Sequence, residues 1–355
     1  MIDPTANSQQ PTAYKTKRVL VTGATGFTGS HLLRYLVKYT PHTIFAMKRR
    51  NSPMDLVQEV ADKVTWLEGD ITDLIFLDEV FELGIQQIYH CAAVVSFDPR
   101  DRKKMFEVNA DGTANIVNAS LHYKIEKLIH ISSIAAIGRV KNEPNVSEKN
   151  KWQRSPLNSQ YAISKYQAEQ EVWRGIAEGL NAAIVNPSVI LGAQFWENGT
   201  GKLFEQVWSG LKFYTTGSTG YVDVRDVVIF MVKLMQSNIN NQRFILSAEN
   251  LTYKTVFESM AKALNKKPAT RPVNYLLRGL AWRIERWRTM FSGKRPLITK
   301  ETAQLSATVF YFDNAASLKP FPDFKYTPIR KTIEETAALF IVSEKSNQRA
   351  AFMPV

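Results

Sequence analysis

Only one cysteine, Cys91, occurs in 355 residues, so no disulfide can form within the chain. Histidine is nearly as scarce. The five histidines are unclustered, and with a single thiol they cannot build a zinc cage, so no metal site is expected. No apolar run approaches the roughly 20 residues that a spanning helix needs. Residues 1–17 are polar and lack the apolar core of a secretory segment. Together these absences lead to the expectation of a chain that works in the reducing cytoplasm and does not cross a bilayer. Acidic charge is also short, with 33 Asp and Glu against 45 Lys and Arg and a formal charge of +12. That excess favours anionic ligands. The basic residues are nevertheless scattered along the chain, with neither zinc-finger spacing nor a basic arm, so nucleic acid is not an expected partner.

What is present is an apolar content of 45%, enough for one large or two intimate domains. From Arg18 onward, short β-rich apolar runs alternate with helical patterns, as βαβ units around a parallel sheet do. RVLVT (18–22), TIFAM (43–47), VTWLEG (64–69), QIYHCA (87–92), KLIHIS (127–132) and AAIVNP (182–187) are almost continuously apolar. Strands covered on both faces have that composition. After Pro187 the rhythm gives way to Gly- and aromatic-rich stretches, and a further strand is expected at 243–247. The predicted fold is therefore α/β: a Rossmann-type doubly wound parallel sheet with a smaller mixed C-terminal substrate lobe. Residues 17–187 with about 221–247 form the first unit, and 188–220 with 248–342 the lobe. Flexible tails are expected at 1–16 and 343–355.

The first strand runs straight into VTGATGFTGSHLL, which places Gly23, Gly26 and Gly29 three residues apart where strand becomes helix. The first glycine permits a tight turn and the second lets backbone approach a pyrophosphate. The third allows close helix–strand packing, and the helix N-terminus offers unpaired N–H groups to phosphate. An ordinary Gly-rich turn would not stand first in a series of βα units. Thr25 and Phe27 complete this cofactor loop. After the second strand comes MKRRNS, with Arg49 and Arg50 and no carboxylate to hold a ribose hydroxyl. Arginines there suit a 2′-phosphate, so NADP(H) is the preferred cofactor, with NAD(H) as the alternative and a solvated basic turn as the plain reading.

Further on, YAISK puts Tyr161 and Lys165 four residues apart, on one face of a helix. A nearby ammonium favours the phenolate, so such a pair can exchange a proton with a substrate hydroxyl. It follows HISSIAAIG, where Ser132 or Ser133 emerges from the C-terminal end of the fifth strand, the rim at which doubly wound sheets bind ligands.

With TGATGFTG, GDITD, HCAAVV, VNADGTANIVNAS, HISSIAAIG, YAISK and NPSVILG in this order, the chain resembles the extended short-chain dehydrogenase/reductase family over nearly its whole length. The resemblance implies Ser133 as the serine that polarises the substrate oxygen and Tyr161 as general acid/base. It implies Lys165 as the residue that holds the nicotinamide ribose and lowers the tyrosine pKa, and Asn109 as the supporting asparagine. It also implies Asp70 and Ile71 beside the adenine, Ala92 and Ala93 beside the ribose, and Pro187 and Ser188 beside the nicotinamide. Packing for the alanines and a turn cap for Asp70 are the plain alternatives. In that family the helices corresponding to 103–123 and 161–180 usually form a homodimer.

Sugar-nucleotide epimerases and dehydratases share this scaffold. Where they carry an arginine for the substrate diphosphate, Thr219 stands here, and Arg225 comes later, with a salt bridge as its plain reading. VSFDP, VNPSVILG, RPLITKETA and YFDNAASLKPF look like the dihydroflavonol-reductase and 3β-hydroxysteroid-dehydrogenase branch. The expected reaction is thus ketone–alcohol interconversion on a hydrophobic or aromatic small molecule. An epimerase/dehydratase and a non-catalytic NAD(P)-binding sensor are the alternatives. Val95 and Ser96 are expected to face the substrate, as is Ser133. Phe97, Phe195, Trp196, Phe204, Trp208, Phe213 and Tyr214 either line an apolar pocket or pack in a core. His90 and His130 read as core residues. Residues 274–291 read as an amphipathic helix packed on the lobe with a basic face outward, or lying on an anionic membrane.

Overall fold

Four of the five residues of β1 (Arg18–Thr22) are buried, as are all six of the strand Ala182–Pro187. Strands apolar on both sides must be covered on both sides. The computed structural model describes residues 16–140, 143–274 and 299–354, with positions 279, 282–285, 287–289 and 296 of the intervening stretch. The predicted N-terminal tail lies outside the described residues except for its last position. Seven parallel strands form the main sheet: β1, β2 (Thr43–Lys48), β3 (Thr65–Glu68), β4 (Gln87–His90), β5 (Lys127–Ile131), β6 (Ala182–Pro187) and β9 (Arg243–Leu246). Their spatial order is β9-β6-β5-β4-β1-β2-β3. Chain progression reverses between β1 and β4, which opens the crevice where such sheets receive ligands.

Helices α1 (Phe27–Tyr39), α2 (Leu74–Glu82), α3 (Gly112–His122) and α4 (Gln160–Ala177) return the chain between strands. α4 starts cleanly because Ser159 caps it, its hydroxyl accepting the Ala162 N–H at 3.1 Å. α5 (Gly201–Trp208) opens the smaller lobe, and α6 (Val224–Gln236) then returns to the main sheet. One face of that sheet packs Leu32, Leu33 and Leu36 of α1 with Val227, Phe230 and Met231 of α6. The other packs Leu77 and Val80 of α2 with Ile116, Val117 and Val172.

The smaller lobe has a three-stranded mixed sheet, β10-β8-β7, built from β7 (Val189–Leu191), β8 (Ser218–Asp223) and β10 (Glu249–Thr252). α7 (Tyr253–Ala263) and α8 (Ile329–Ser346) cover it with α5 around a core containing Trp196, Phe204, Met260 and Phe340. Because β8 pairs with β7 directly after β6, the lobe is braced against the C-terminal ends of the main strands. Among the described residues no helix is long and apolar enough to cross a membrane.

The expected frayed tail at 343–355 is instead anchored through Met353. α8 continues to Ser346, the Trp196 N–H donates to the Arg349 carbonyl at 3.1 Å, and the Met353 side chain is fully buried. The polar composition concealed one apolar anchor. The Met353 N–H donates to His31 Nε2 at 3.1 Å, while His31 Nδ1 donates to the Phe27 carbonyl at 2.9 Å. Of the predicted helix 274–291, positions 282–285 and 287–289 are helical, with Ile284 and Trp287 more than half exposed. Residues 275–278, 280, 281, 286, 290 and 291 lie outside the described residues.

Candidate active site

The glycine turn is geometrically obligatory. Gly23 adopts φ +63, and a Cβ there would sit 2.7 Å from the Ala92 Cα, because the loops leaving β1 and β4 touch. A Cβ on Gly29 would lie 2.2 Å from the Gly23 carbonyl oxygen, so both helix packing and loop shape exclude a side chain. Gly26 occupies the N-cap of α1 without any side-chain cap, which leaves N–H groups of the first turn open to an anion. Thr25 and Phe27 are partly exposed beside it. Ala92 is partly exposed and Ala93 exposed. Asp70 Oδ1 accepts the Thr72 N–H and hydroxyl at 3.1 and 3.0 Å, so it does cap its turn, while Ile71 is buried. Lys48 is paired with Glu68 at 2.5 Å. Arg49 and Arg50 remain exposed beyond it, with no side-chain partner among the described residues. Ser188, directly after β6, has a buried hydroxyl with no partner among the described residues. A Gly-only cradle, an open helix N-terminus, two exposed guanidiniums and an orphaned hydroxyl fit a dinucleotide laid along the crevice.

The two candidate serines separate by what they bond. Ser132 donates to Glu169 Oε2 at 2.8 Å, within a buried network that also holds Asn186 (2.8 Å) and Arg243 (3.0 Å). Ser133 accepts the Ala135 N–H at 3.1 Å and keeps its proton for the Tyr161 oxygen. Burial raises the Tyr161 pKa, while the Ser133 hydrogen bond and the Arg139 charge oppose the rise. Lys165, expected to depress the tyrosine, is not among the groups acting on that phenol. It is buried, donates from Nζ to the Ile131 carbonyl at 2.7 Å, and burial brings its ammonium down to about 8 despite nearby Glu169.

Asn109 lies in a π-helical stretch, Glu107–Asp111, a distortion that re-aims side chains. Its amide clamps the loop after β4, donating to the Val94 carbonyl (2.9 Å) and accepting the Val94 N–H (2.7 Å). It also donates to Ser164 Oγ (3.0 Å) on α4. His90 is spent between Thr22 (2.8 Å) and Thr113 (3.0 Å), and burial lowers it to about 3. His130 is buried beside it and held neutral by burial.

On the substrate side, Val95 is exposed at the rim and Ser96 is tied to Asp101 at 2.7 Å. Phe97 is the residue of this segment that reaches the centre, its ring edge-on to Tyr161 at 5.8 Å. The other lobe aromatics are not gathered there. Trp196 and Phe204 are core, Trp208 packs on Phe340 and Lys266, and Phe213 is 42% exposed. Arg225 pairs with Asp223 at 2.7 Å and Glu335 at 2.6 Å, and Thr219 is buried. Two participants lacked a sequence signal, Arg139 and Tyr253, whose phenol also lies in the Arg139 field. A cavity of about 990 Å³ opens elsewhere, beyond α4 between Trp152, Tyr166, Trp173 and Arg243, and contains none of the predicted site residues.

Residues 19–246 match the family described as the NAD dependent epimerase/dehydratase family. A putative dihydroflavonol 4-reductase of Synechocystis is 27% identical over 313 residues, 84% of this chain and 88% of the relative. Sterol demethylase protein B of Methylococcus capsulatus is 28% identical over 243 residues, 67% of this chain and 72% of the relative. The solved structure of gox2253 superposes with a TM-score of 0.78 at 27% identity, covering 92% of this chain and 98% of the other.

Proposed function

The chain belongs to the NAD dependent epimerase/dehydratase family and is an NAD(P)-dependent oxidoreductase of the extended short-chain dehydrogenase/reductase type, and from that premise we propose that it is an NADP(H)-dependent ketone–alcohol oxidoreductase acting on a hydrophobic or aromatic small molecule. The observation that carries this reading is the meeting of Ser133 and Tyr161 at the C-terminal rim of the sheet, beside the Gly23–Ala92 crevice.

When bound, the nicotinamide supplies or takes up the hydride at the substrate carbon. The chain's own residues handle the oxygen. Ser133 donates a hydrogen bond to it, and Tyr161 gives it a proton in reduction or takes one in oxidation. Burial keeps the Tyr161 phenol protonated at neutral pH, which suits the reductive direction. Lys165, with one donor on Ile131, has two left for ribose hydroxyls. Asn109 positions both the loop after β4 and α4.

The sugar-nucleotide reading loses its main support in this chain. Thr219 replaces the diphosphate arginine, and Arg225 is already neutralised by two carboxylates. Phe97 on Tyr161 suits an apolar substrate, in keeping with the dihydroflavonol and sterol named for the relatives. A homodimer through 103–123 and 161–180 is part of the same reading, and a monomeric mass by light scattering would remove it.

The deciding experiment titrates cofactor-stripped protein with NADPH and NADH by fluorescence. NADPH is expected to bind about tenfold or more tightly, and replacing Arg49 and Arg50 by alanine to weaken NADPH selectively. NADH preference, or NAD that cannot be stripped, would favour the epimerase reading instead.

A further inference from the structure

Arg139 supplies the charge that reaches the Tyr161 phenol among the described residues. It follows Gly138, whose φ of +87 turns the loop beneath Trp152. Its own backbone N–H donates to Asn158 Oδ1 at 2.9 Å, which fixes the point from which the side chain leaves. The guanidinium carbon stands 5.6 Å from the Phe310 ring centroid, and Nε is buried with no hydrogen-bond partner among the described residues. No described carboxylate pairs with it. Its charge acts instead on two phenols, Tyr161 at the start of α4 and Tyr253 at the start of α7.

That arrangement is costly in an unliganded fold. A buried guanidinium N–H deprived of water and of any acceptor loses free energy, and two other partly buried arginines avoid the loss. Arg225 and Arg243 each meet a carboxylate within 3.0 Å, Asp223 with Glu335 and Glu169 respectively, whereas Arg34, 3.9 Å from Glu59, lies over the Phe352 ring. Arg139 meets no carboxylate among the described residues, and its charge reaches the reacting tyrosine.

We propose that Arg139 binds a carboxylate which the substrate carries close to its reacting hydroxyl or carbonyl. The proposal rests on the oxidoreductase reading and narrows its substrate class to an apolar molecule bearing one acidic group. The planar fork of a guanidinium matches the two oxygens of a carboxylate. One cation beside the Phe310 ring and the Tyr161 and Tyr253 phenols balances one negative charge. A phosphate monoester carries nearly two charges and a diphosphate more, which one guanidinium does not balance.

The test uses the full chain saturated with NADPH and equilibrium dialysis against three acid–amide pairs: cinnamate and cinnamamide, 2-naphthoate and 2-naphthamide, and 3-hydroxy-3-phenylpropanoate and its amide. At least one acid is expected to bind about tenfold more tightly than its amide. Arg139→Gln should reduce that preference to near unity with NADPH affinity unchanged, and Arg139→Lys should keep part of it. If the Gln variant does not fold, the Lys variant carries the test through its partial loss of preference. Retained NADPH with no acid preferred over its amide, or a preference that survives Arg139→Gln, overturns this proposal alone. Failure of the wild-type chain to bind NADPH overturns the oxidoreductase reading beneath it.

Discussion

A Cβ on Gly23 would lie 2.7 Å from the Ala92 Cα: the turn after β1 and the loop after β4 are in contact, and only the absence of a side chain permits it. Gly23→Ala meets two penalties. The left-handed φ of +63 costs a side chain about 1–2 kcal/mol, and the clash is with backbone, which must move. Loss of about tenfold or more in NADPH affinity is expected from fluorescence titration, with the strand core intact by circular dichroism. Unchanged affinity would show that the turn does not carry the dinucleotide.

Tyr161→Phe removes the proton-transfer group while leaving the glycine cradle untouched. Turnover should fall by on the order of 10²–10⁴-fold, with dinucleotide affinity retained. Because the Arg139 charge lowers the Tyr161 pKa, Arg139→Gln should move the pH midpoint for oxidation of a neutral alcohol upward, since the phenolate becomes harder to form. A downward shift would show that Arg139 does not act on this phenol.

Glu169 is 1% exposed and accepts hydrogen bonds from Ser132, Asn186, Trp173 and Arg243. Removing a buried charge that pairs with another costs about 3–5 kcal/mol, so Glu169→Ala should lower the melting temperature by roughly 5–15 °C. It should also loosen β5, since Ser132 directly follows that strand. A shift within a degree or two in calorimetry would mean that water replaces the carboxylate.

His31 links stability to pH. Burial lowers its pKa from 6.5 to about 4, and as a neutral acceptor it holds the Met353 N–H. The unfolded chain takes up this proton near 6.5 and the folded chain only near 4. The stabilisation is therefore full above 6.5 and is lost as pH falls through that window, by on the order of 3 kcal/mol. His90, lowered to about 3, adds to the loss in the same direction. Melting temperature should decline from pH 7 to pH 4, and His31→Gln, which keeps an acceptor without titrating there, should flatten part of the decline. An equally steep profile in that variant would place the acid sensitivity elsewhere.

Much of this molecule is local and therefore legible in one dimension. A strand buried on both faces must be apolar throughout, so six runs and a seventh at 243–247 mark the sheet to within about two residues. Gly23 and Gly29 mark the turn because a side chain at either would strike backbone, and the four-residue spacing of Tyr161 and Lys165 follows from helix periodicity. What sequence patterns could not distinguish were residues of like composition with different neighbours. Ser132 and Ser133 are chemically identical, but alternation along the strand end sends one to Glu169 and the next to Tyr161. Phe97 and Trp196 are both aromatic, yet only the first reaches the site.

By itself the sequence determined the parallel α/β scaffold, the glycine turn and the shared helix face of Tyr161 and Lys165, because each follows from short-range sterics or a fixed periodicity. Only the tertiary structure decided that Met353 anchors the C-terminal segment and that Tyr161, Tyr253 and Phe310 gather around Arg139. Tyr253 and Phe310 lie more than 90 positions from Arg139 and Tyr161 in the chain, and their meeting depends on how the smaller lobe packs over the sheet rim, which no local pattern encodes.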